Sequence, residues 1–290
     1  MSLTIRPIEK HDVEVCGKIG YEAHKTVSAA HGYPSEQPTE EHGIGLVKML
    51  LDNPNSFGVL AEAEGTVLGS IFLHKFPPSP VAVIGPLTVR PSAQGGVGRA
   101  LMDAVLTQAG KQHMGQVRLV QSPSHIRSFA LYTKCGFALR EPLFLMQGQP
   151  LTNEQKSDDA KNVRPVRNAT DIASCNEMCR KVHGFTREGE LRQAIDHGAA
   201  LMIERGGQIS GYAAGIGLFG HAVAKSNNDL KALISSAPTI TGPGFFVPAR
   251  NHELMNWLFD CKFRIEWPAN LMTFGPYQEP AGLFLPSLAY

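Results

Sequence analysis

No block of basic residues, no apolar run long enough to span a bilayer and no leader-like amino terminus occur in this sequence, and each lack excludes a class of protein. Lys and Arg (27) balance Asp and Glu (26), giving a formal net charge of +1. That balance argues against nucleic acid as a partner, and the missing apolar run argues against a membrane. The start, Met1-Ser2-Leu3-Thr4-Ile5-Arg6-Pro7, has no apolar segment of signal-peptide type, so a cytoplasmic protein is expected. Disulfides are not expected either. The five cysteines are odd in number and irregularly spaced, as reduced intracellular thiols are.

What is present is ordinary globular composition, 43% hydrophobic and 18% charged over 290 residues, enough for two domains that each bury a core. Cys175, Cys179 and His183 recur every four residues on one helix face. Three metal ligands would have this spacing, but so would a buried apolar face; no fourth ligand lies nearby in sequence, and no metal is expected.

The chain repeats itself. Thr4-Ile5-Arg6-Pro7 is echoed by Asn162-Val163-Arg164-Pro165, and each precedes a helical segment that opens on an acidic cap, Asp12 or Asp171. Glu64-Gly65-Thr66-Val67-Leu68-Gly69 resembles Gly206-Gly207-Gln208-Ile209-Ser210-Gly211, both reading as hairpins. Tyr132 to Phe137 parallels Leu258 to Phe263. Four matches in one order predict two copies of one fold, 1–148 and 162–290, joined by a polar linker over 149–161. In the first copy, strands are expected near 3–7, 57–63, 67–75, 81–89 and 117–121, with a last strand pair near 137–147. Helices are expected over about 11–30, 39–53, 97 onward and 124–135, a mixed α/β fold. In the second copy a strand is expected over 268–274, and the apolar tail from Pro280 should dock onto the body.

The chemistry concentrates after the fourth strand. Val83-Ile84-Gly85-Pro86-Leu87-Thr88-Val89 reads as a strand interrupted by Gly-Pro, and Pro91 ends its pairing. Gln94-Gly95-Gly96-Val97-Gly98-Arg99-Ala100 then leads straight into a helix. Glycines let backbone amides converge, and the helix start adds unsatisfied N–H groups and a positive dipole end. This is an anion cradle suited to a diphosphate. No Lys-Ser/Thr follows, which disfavours a P-loop, and the strand lies too deep in the domain for a dinucleotide-binding first turn.

Leu87-Thr88-Val89-Arg90-Pro91 with Gln94 to Met102 resembles the acetyl-CoA signature of the GNAT N-acetyltransferases. Ser128-Phe129-Ala130-Leu131-Tyr132-Thr133-Lys134-Cys135-Gly136-Phe137 resembles that family's second hallmark, and the likeness covers nearly all of residues 3–148. It implies an acyl-CoA N-acyltransferase fold in two tandem copies and acetyl-CoA as cosubstrate. The cofactor would be held by Leu87, Thr88, Val89, Gln94, Gly95, Gly96, Val97, Gly98, Arg99, Ala100, His125, Ser128 and Tyr132. Leu87 and Val89 backbone groups would run alongside the pantetheine like an added strand, an N–H near Val89 would polarise the thioester carbonyl, and Tyr132 would be the general acid to the departing thiolate. Without the resemblance Tyr132 reads as a packed amphipathic aromatic. Two departures stand out: the glycine loop is one residue shorter than the family pattern, and His125 stands where many members carry Asn.

No side chain is assigned as general base. Glu62, Glu64, His74, Glu40, Glu41 and His42 read as solvated surface groups, and an ordered water chain would serve equally. The second copy lacks Gly-x-Gly, carries Asp229 where a diphosphate would rest and has Leu258 in place of Tyr132; it is expected to keep the fold without the cofactor. The resulting reading is an N-acetyltransferase acting on a primary amine of a small molecule or peptide, as monomer or homodimer. The alternative is a non-catalytic acyl-CoA-binding sensor or regulatory protein; a purely structural or interaction protein is the third possibility.

Overall fold

The computed structural model describes residues 3–35, 37–93 and 95–288. The chain divides into two compact units, one made of residues up to 75, 81–138 and 273–275, the other of 76–80, 139–272 and 276 onward.

The first unit runs β1 (Thr4–Pro7), α1 (Val13–His31), α2 (Glu40–Asp52), β2 (Ser56–Ala63), β3 (Thr66–Lys75), β4 (Val81–Val89), α3 (Val97–Lys111), β5 (Gln116–Gln121) and α4 (Ile126–Lys134). Its strands lie side by side in the order β1-β2-β3-β4-β5, antiparallel except for the parallel β4–β5 pair. Side chains alternate across these strands. Leu60 and Phe72 pack with Cys16 of α1 and with Val47 and Leu50 of α2. The face of α3 that carries Val97, Leu101 and Val105 is fully buried, as its period predicts.

The second unit contains β6 (Ala138–Gln147), β7 (Val163–Pro165), α5 (Ala169–His183), α6 (Glu188–Asp196), β8 (Ala200–Arg205), β9 (Gln208–Ala214), β10 (Ala222–Ala224), α7 (Asn227–Ser236), β11 (Phe245–Pro248), α8 (His252–Asp260), β12 (Arg264–Phe274) and β13 (Leu283–Leu285). Here β12-β6-β11 are consecutive neighbours, and β13-β10-β9-β8-β7 form a five-stranded sheet. The strand pair expected near 137–147 is instead one unbroken strand, β6, paired with β11 from Leu143↔Pro248 to Met146↔Phe245. The expected strand 268–274 begins earlier, at Arg264. The polar segment 149–161 ends in a short 3-10 turn from Asp158. The tail does dock, as β13.

From β1 to β6 and from β7 to β12 the element sequence is the same: strand, two helices, three strands, helix, strand, helix, strand. The chain is a mixed α/β protein of two tandem copies. The repetition reaches single atoms. Arg6 grips Asp12 through two nitrogens (2.7 and 2.9 Å) and Glu62 through Nε (3.0 Å). Arg164 grips Asp171 the same way (2.8 and 2.8 Å) and Glu204 at 2.7 Å. Glu62 and Glu204 each follow a register shift in the β2–β3 and β8–β9 hairpins. Both hairpins turn on two residues at positive φ, Glu64-Gly65 and Gly206-Gly207, as two-residue type I′ turns require.

Of the acidic caps expected at Asp12 and Asp171, Asp12 holds the N-cap position of α1 without capping it through its side chain, and Asp171 lies in the first turn of α5. Asp12 precedes α1 without a side-chain capping bond, and its carboxylate accepts instead from Arg6 and the Glu9 amide. The α5 cap is Asn168, which accepts from the Asp171 amide. A bidentate Arg is a stronger partner for a buried carboxylate than one amide, so both aspartates turn toward the first strand of their copy.

Candidate active site

The open edge of β4 is the central feature. Toward β3 the strand is paired along its length, but its parallel pairing with β5 covers only Val81↔Gln116 to Val83↔Arg118. Between Ile84 and Leu87 the register shifts, so that Gly85 and Pro86 stand opposite the single residue Phe72. Gly85 sits at φ 145°, a conformation that glycine adopts without strain. This bulge bends the strand, and beyond it the β5-facing edge of β4 has no strand partner among the described residues.

His74 fixes the bulge. It is buried, and its ring is stacked on Phe72, unlike the solvated group expected. Nε2–H donates to the Gly85 carbonyl (2.9 Å), leaving Nδ1 to accept from the Ser56 hydroxyl (2.7 Å). Burial pushes the His74 pKa below its ordinary value, consistent with this neutral tautomer. With both nitrogens engaged, the ring has no free basic atom. Nothing in the sequence marked this role; it requires knowing that β3 places residue 74 beside the bulge.

Strand alternation then decides which amides are available. The Arg90 amide donates to the Leu68 carbonyl across β3–β4 (2.8 Å). The amides of Arg90 and Thr88 therefore face β3, and those of Leu87 and Val89 face the open edge. Thr88 is turned inward altogether: it is buried, with its hydroxyl 3.2 Å from that of Ser70.

Beyond Arg90 the chain makes a tight turn, closed by Ala93 N–H to Arg90 carbonyl (2.9 Å). Gln94, expected in the cradle, lies outside the described residues. Gly96 caps α3 at φ 101° with no side-chain cap, and the first turn holds no acidic residue. Ala100 N–H donates to Gly96 carbonyl (2.9 Å) and closes that turn, so the amides of Gly98 and Arg99 precede the intrahelical ladder. A Cβ at Gly95 or Gly96 would meet nothing within 4 Å, whereas one at Gly98 would lie 3.1 Å from Leu131 of α4. The first two glycines face open space and the third lets two helices approach. The Arg99 side chain is turned away, onto Asp103 of its own helix (2.9 Å).

α4 brings the remaining groups. His125 precedes it, and its carbonyl accepts from Ser128 Oγ (2.9 Å) and Gln121 Nε2 (3.1 Å), tying the helix start to the end of β5. Burial lowers the His125 pKa, with Arg127, His31 and His24 adding in the same direction; the ring is neutral at pH 7. Tyr132 is half-buried in the last turn of α4, its ring 6.1 Å from Phe137. Phe137 N–H donates to Tyr132 carbonyl and Gly136 N–H to Thr133 carbonyl (3.0 Å each), with Gly136 at φ 93°. That is the Schellman pattern with its customary apolar contact, and it fixes the Tyr132 backbone. Burial pushes the Cys16 thiol, on α1, up to about 11; it is protonated at neutral pH and no nucleophile.

Cys175 and Cys179 lie in an apolar cluster with Val166, Met178 and Leu191. The His183 ring meets Phe284 edge-on at 5.2 Å. Among the described residues no three metal-ligating side chains are gathered, and no helix is long and apolar enough to cross a membrane.

Residues 25–137 match the sequence profile of the Acetyltransferase (GNAT) family. Over that stretch the first copy is similar in sequence to that family. A candidate acetyltransferase from Pyrococcus horikoshii shares the fold from end to end, at 17% identity and TM-score 0.73 over 99% of this chain and 95% of that one. The PaiA N-acetyltransferase from Thermoplasma acidophilum, solved with coenzyme A, aligns over 49% of this chain and 92% of its own (21% identity, TM-score 0.42). Spermidine N-acetyltransferase from Vibrio cholerae, with CoA and spermine, aligns over 50% and 85% (18% identity, TM-score 0.40). No curated protein sequence matches the chain.

Proposed function

We propose that the first copy transfers an acetyl group from acetyl-CoA to a primary amine. The observation that carries this reading is the continuity of two donor surfaces: the open β4 edge at Leu87 and Val89 leads directly into the uncapped, acid-free start of α3. The first suits an extended pantetheine arm, which can pair with a strand edge. The second suits a diphosphate, which favours unsatisfied amides at a positive dipole end. The loop fits such a group without a basic side chain: Gly95 and Gly96 leave the space open, and the amides of Gly98 and Arg99, ahead of the intrahelical ladder, supply donors.

Acetyl-CoA supplies an acyl carbon activated as a thioester. In this reading the Val89 amide, on the open edge, donates to the thioester carbonyl as negative charge develops there. The amine nitrogen forms a bond to that carbon, the C–S bond breaks, and the Tyr132 hydroxyl gives its proton to the sulfur. A thiol near pKa 8.5 and a phenol near 10 leave Tyr protonated at pH 7. The proton lost by the amine passes to solvent and restores Tyr132. His125 and Ser128 position the start of α4 on the cofactor side. Thr88 braces β4 from the other side and offers the cofactor no polar atom.

The test is thiol release from acetyl-CoA against a panel of primary amines. Tyr132→Phe should lower kcat by about 100-fold, within the range for loss of a general acid, with little change in KM for acetyl-CoA. Absence of amine-dependent thiol release by the native chain would exclude the reading.

A further inference from the structure

The second copy contains the same slot, and the chain itself fills it. In the first copy the Arg90 amide meets the Leu68 carbonyl; in the second the Lys225 amide meets the Ser210 carbonyl (2.9 Å) in the same register. Ala222 and Ala224 therefore correspond to Leu87 and Val89, and their amides likewise point away from the preceding strand. On that edge lies β13, antiparallel, with Ala222↔Leu285, Val223↔Phe284 and Ala224↔Leu283.

The tail is held along its length. Ala281 N–H donates to Val182 carbonyl (2.9 Å) and Leu288 N–H to Leu218 carbonyl (2.7 Å). Ser287, fully buried, accepts from Arg187 (2.8 Å). Phe284, 2% exposed, lies edge-on to His183 (5.2 Å) and beneath Arg250 (5.8 Å). A Cβ at Gly282 would come within 2.9 Å of Val182, so the tail enters by a path only glycine fits.

The anion position is filled as well. α7 starts where α3 would, but Ser226 caps it, and the Asp229 carboxylate in its first turn is 99% buried. Asp229 accepts from Arg205 (2.6 Å), Ser210 (2.7 Å) and Ser226 (2.7 Å). On the sheet face where the first copy has the small Ser70, the second has Tyr212, fully buried with its hydroxyl 3.0 Å from His221. What space is left beside the tail is a cavity of about 220 Å³ lined by Asn227, Arg250, Asn251, Leu283 and Phe284, below the roughly 300–1,000 Å³ of small-molecule sites.

We infer that the carboxy-terminal tail is an internal ligand: Leu283–Leu285 occupies the arm of the second slot, Asp229 occupies its anion end, and each chain holds a single acyl-CoA, in the first copy. The meaning of the slot rests on the function proposed above; the capture of the tail does not.

Two arms separate these. In the first, coenzyme A is counted per chain by native mass spectrometry for the unaltered protein and for Gly95→Asp, which sets a carboxylate in open space at the first cradle. One CoA on the unaltered chain and none on the variant is expected. Two on the unaltered chain, or one retained by the variant, would overturn the inference. No binding by the unaltered chain would refute the proposed function while leaving the second slot closed, as inferred. In the second arm, a protease site is placed in the exposed stretch Gln278–Glu279 and the full chain is cut after folding. The released tail should stay bound through gel filtration and exchange only with added tail peptide, not with coenzyme A. Phe284→Ala should weaken its retention by about 100-fold. Immediate loss of the cut tail, or its displacement by coenzyme A, would overturn the inference.

Discussion

Lys262 sits at φ 69° after α8, where Gly136 sits at φ 93° after α4. Phe263 N–H still donates to Leu258 carbonyl and Lys262 N–H to Phe259 carbonyl (2.9 Å each), so the second copy keeps the helix stop with a residue that strains in it. Lys262→Gly should therefore raise stability by up to about 1 kcal/mol in chemical denaturation, the cost of a non-glycine left-handed residue less glycine's greater freedom when unfolded. The two Arg–Asp pairs carry a pH signature. Arg164 holds the Asp171 carboxyl down at about 2, from an ordinary 3.8. A depressed carboxylate stabilises the fold above its unfolded pKa and loses that contribution as pH falls through the folded value. Native and Asp171→Asn chains should differ in unfolding midpoint above pH 4 and converge toward pH 2. A constant difference across that window would rule out the charge as the cause.

At the scale of elements, the candidate site combines a strand that leaves its neighbour with a helix that starts without a side-chain cap. The Gly85-Pro86 bulge, anchored by His74, ends the β4–β5 pairing, and Gly98 sets the spacing of α3 and α4. Gly98→Leu should cost about 1–3 kcal/mol in stability, as overpacking does, and should weaken acetyl-CoA binding with it, because α3 moves off the β4 edge. Gly98→Ala has only a few tenths of an ångström to accommodate and regains helix propensity, so thermal melts should place it close to the native chain. An equal loss for both substitutions would mean that the α3–α4 approach is not the constraint.

Across the whole molecule, the elements that follow from local rules were legible in sequence. The helix period placed α3, glycine and proline placed the β4 bulge, and the repeated Arg-Pro, Gly-x-x-x-Gly and Cys-x-Phe fragments announced two copies of one fold. What depends on distant partners was not legible. His74 looked like a surface histidine because its partners, Ser56 and Gly85, lie 18 and 11 residues away. Asp12 and Asp171 looked like caps because the competing arginine sits on a preceding strand. The tail read as apolar and docked, but only the register of β13 against Ala222–Ala224 says what it covers. Likewise β6 closes the first copy in element order, while its contacts group it from Leu139 with the second unit, which only the fold reveals.

In the proposed site an acyl-CoA lies along Leu87–Val89 with its diphosphate at the start of α3. Backbone amide NMR of the deuterated, 15N-labelled chain during titration with coenzyme A tests it directly. Shifts should concentrate at Leu87, Val89, Gly95, Gly96, Gly98 and Arg99, with Ala222, Ala224 and Ser226–Asp229 unmoved. Shifts at the second group with silence at the first would contradict it.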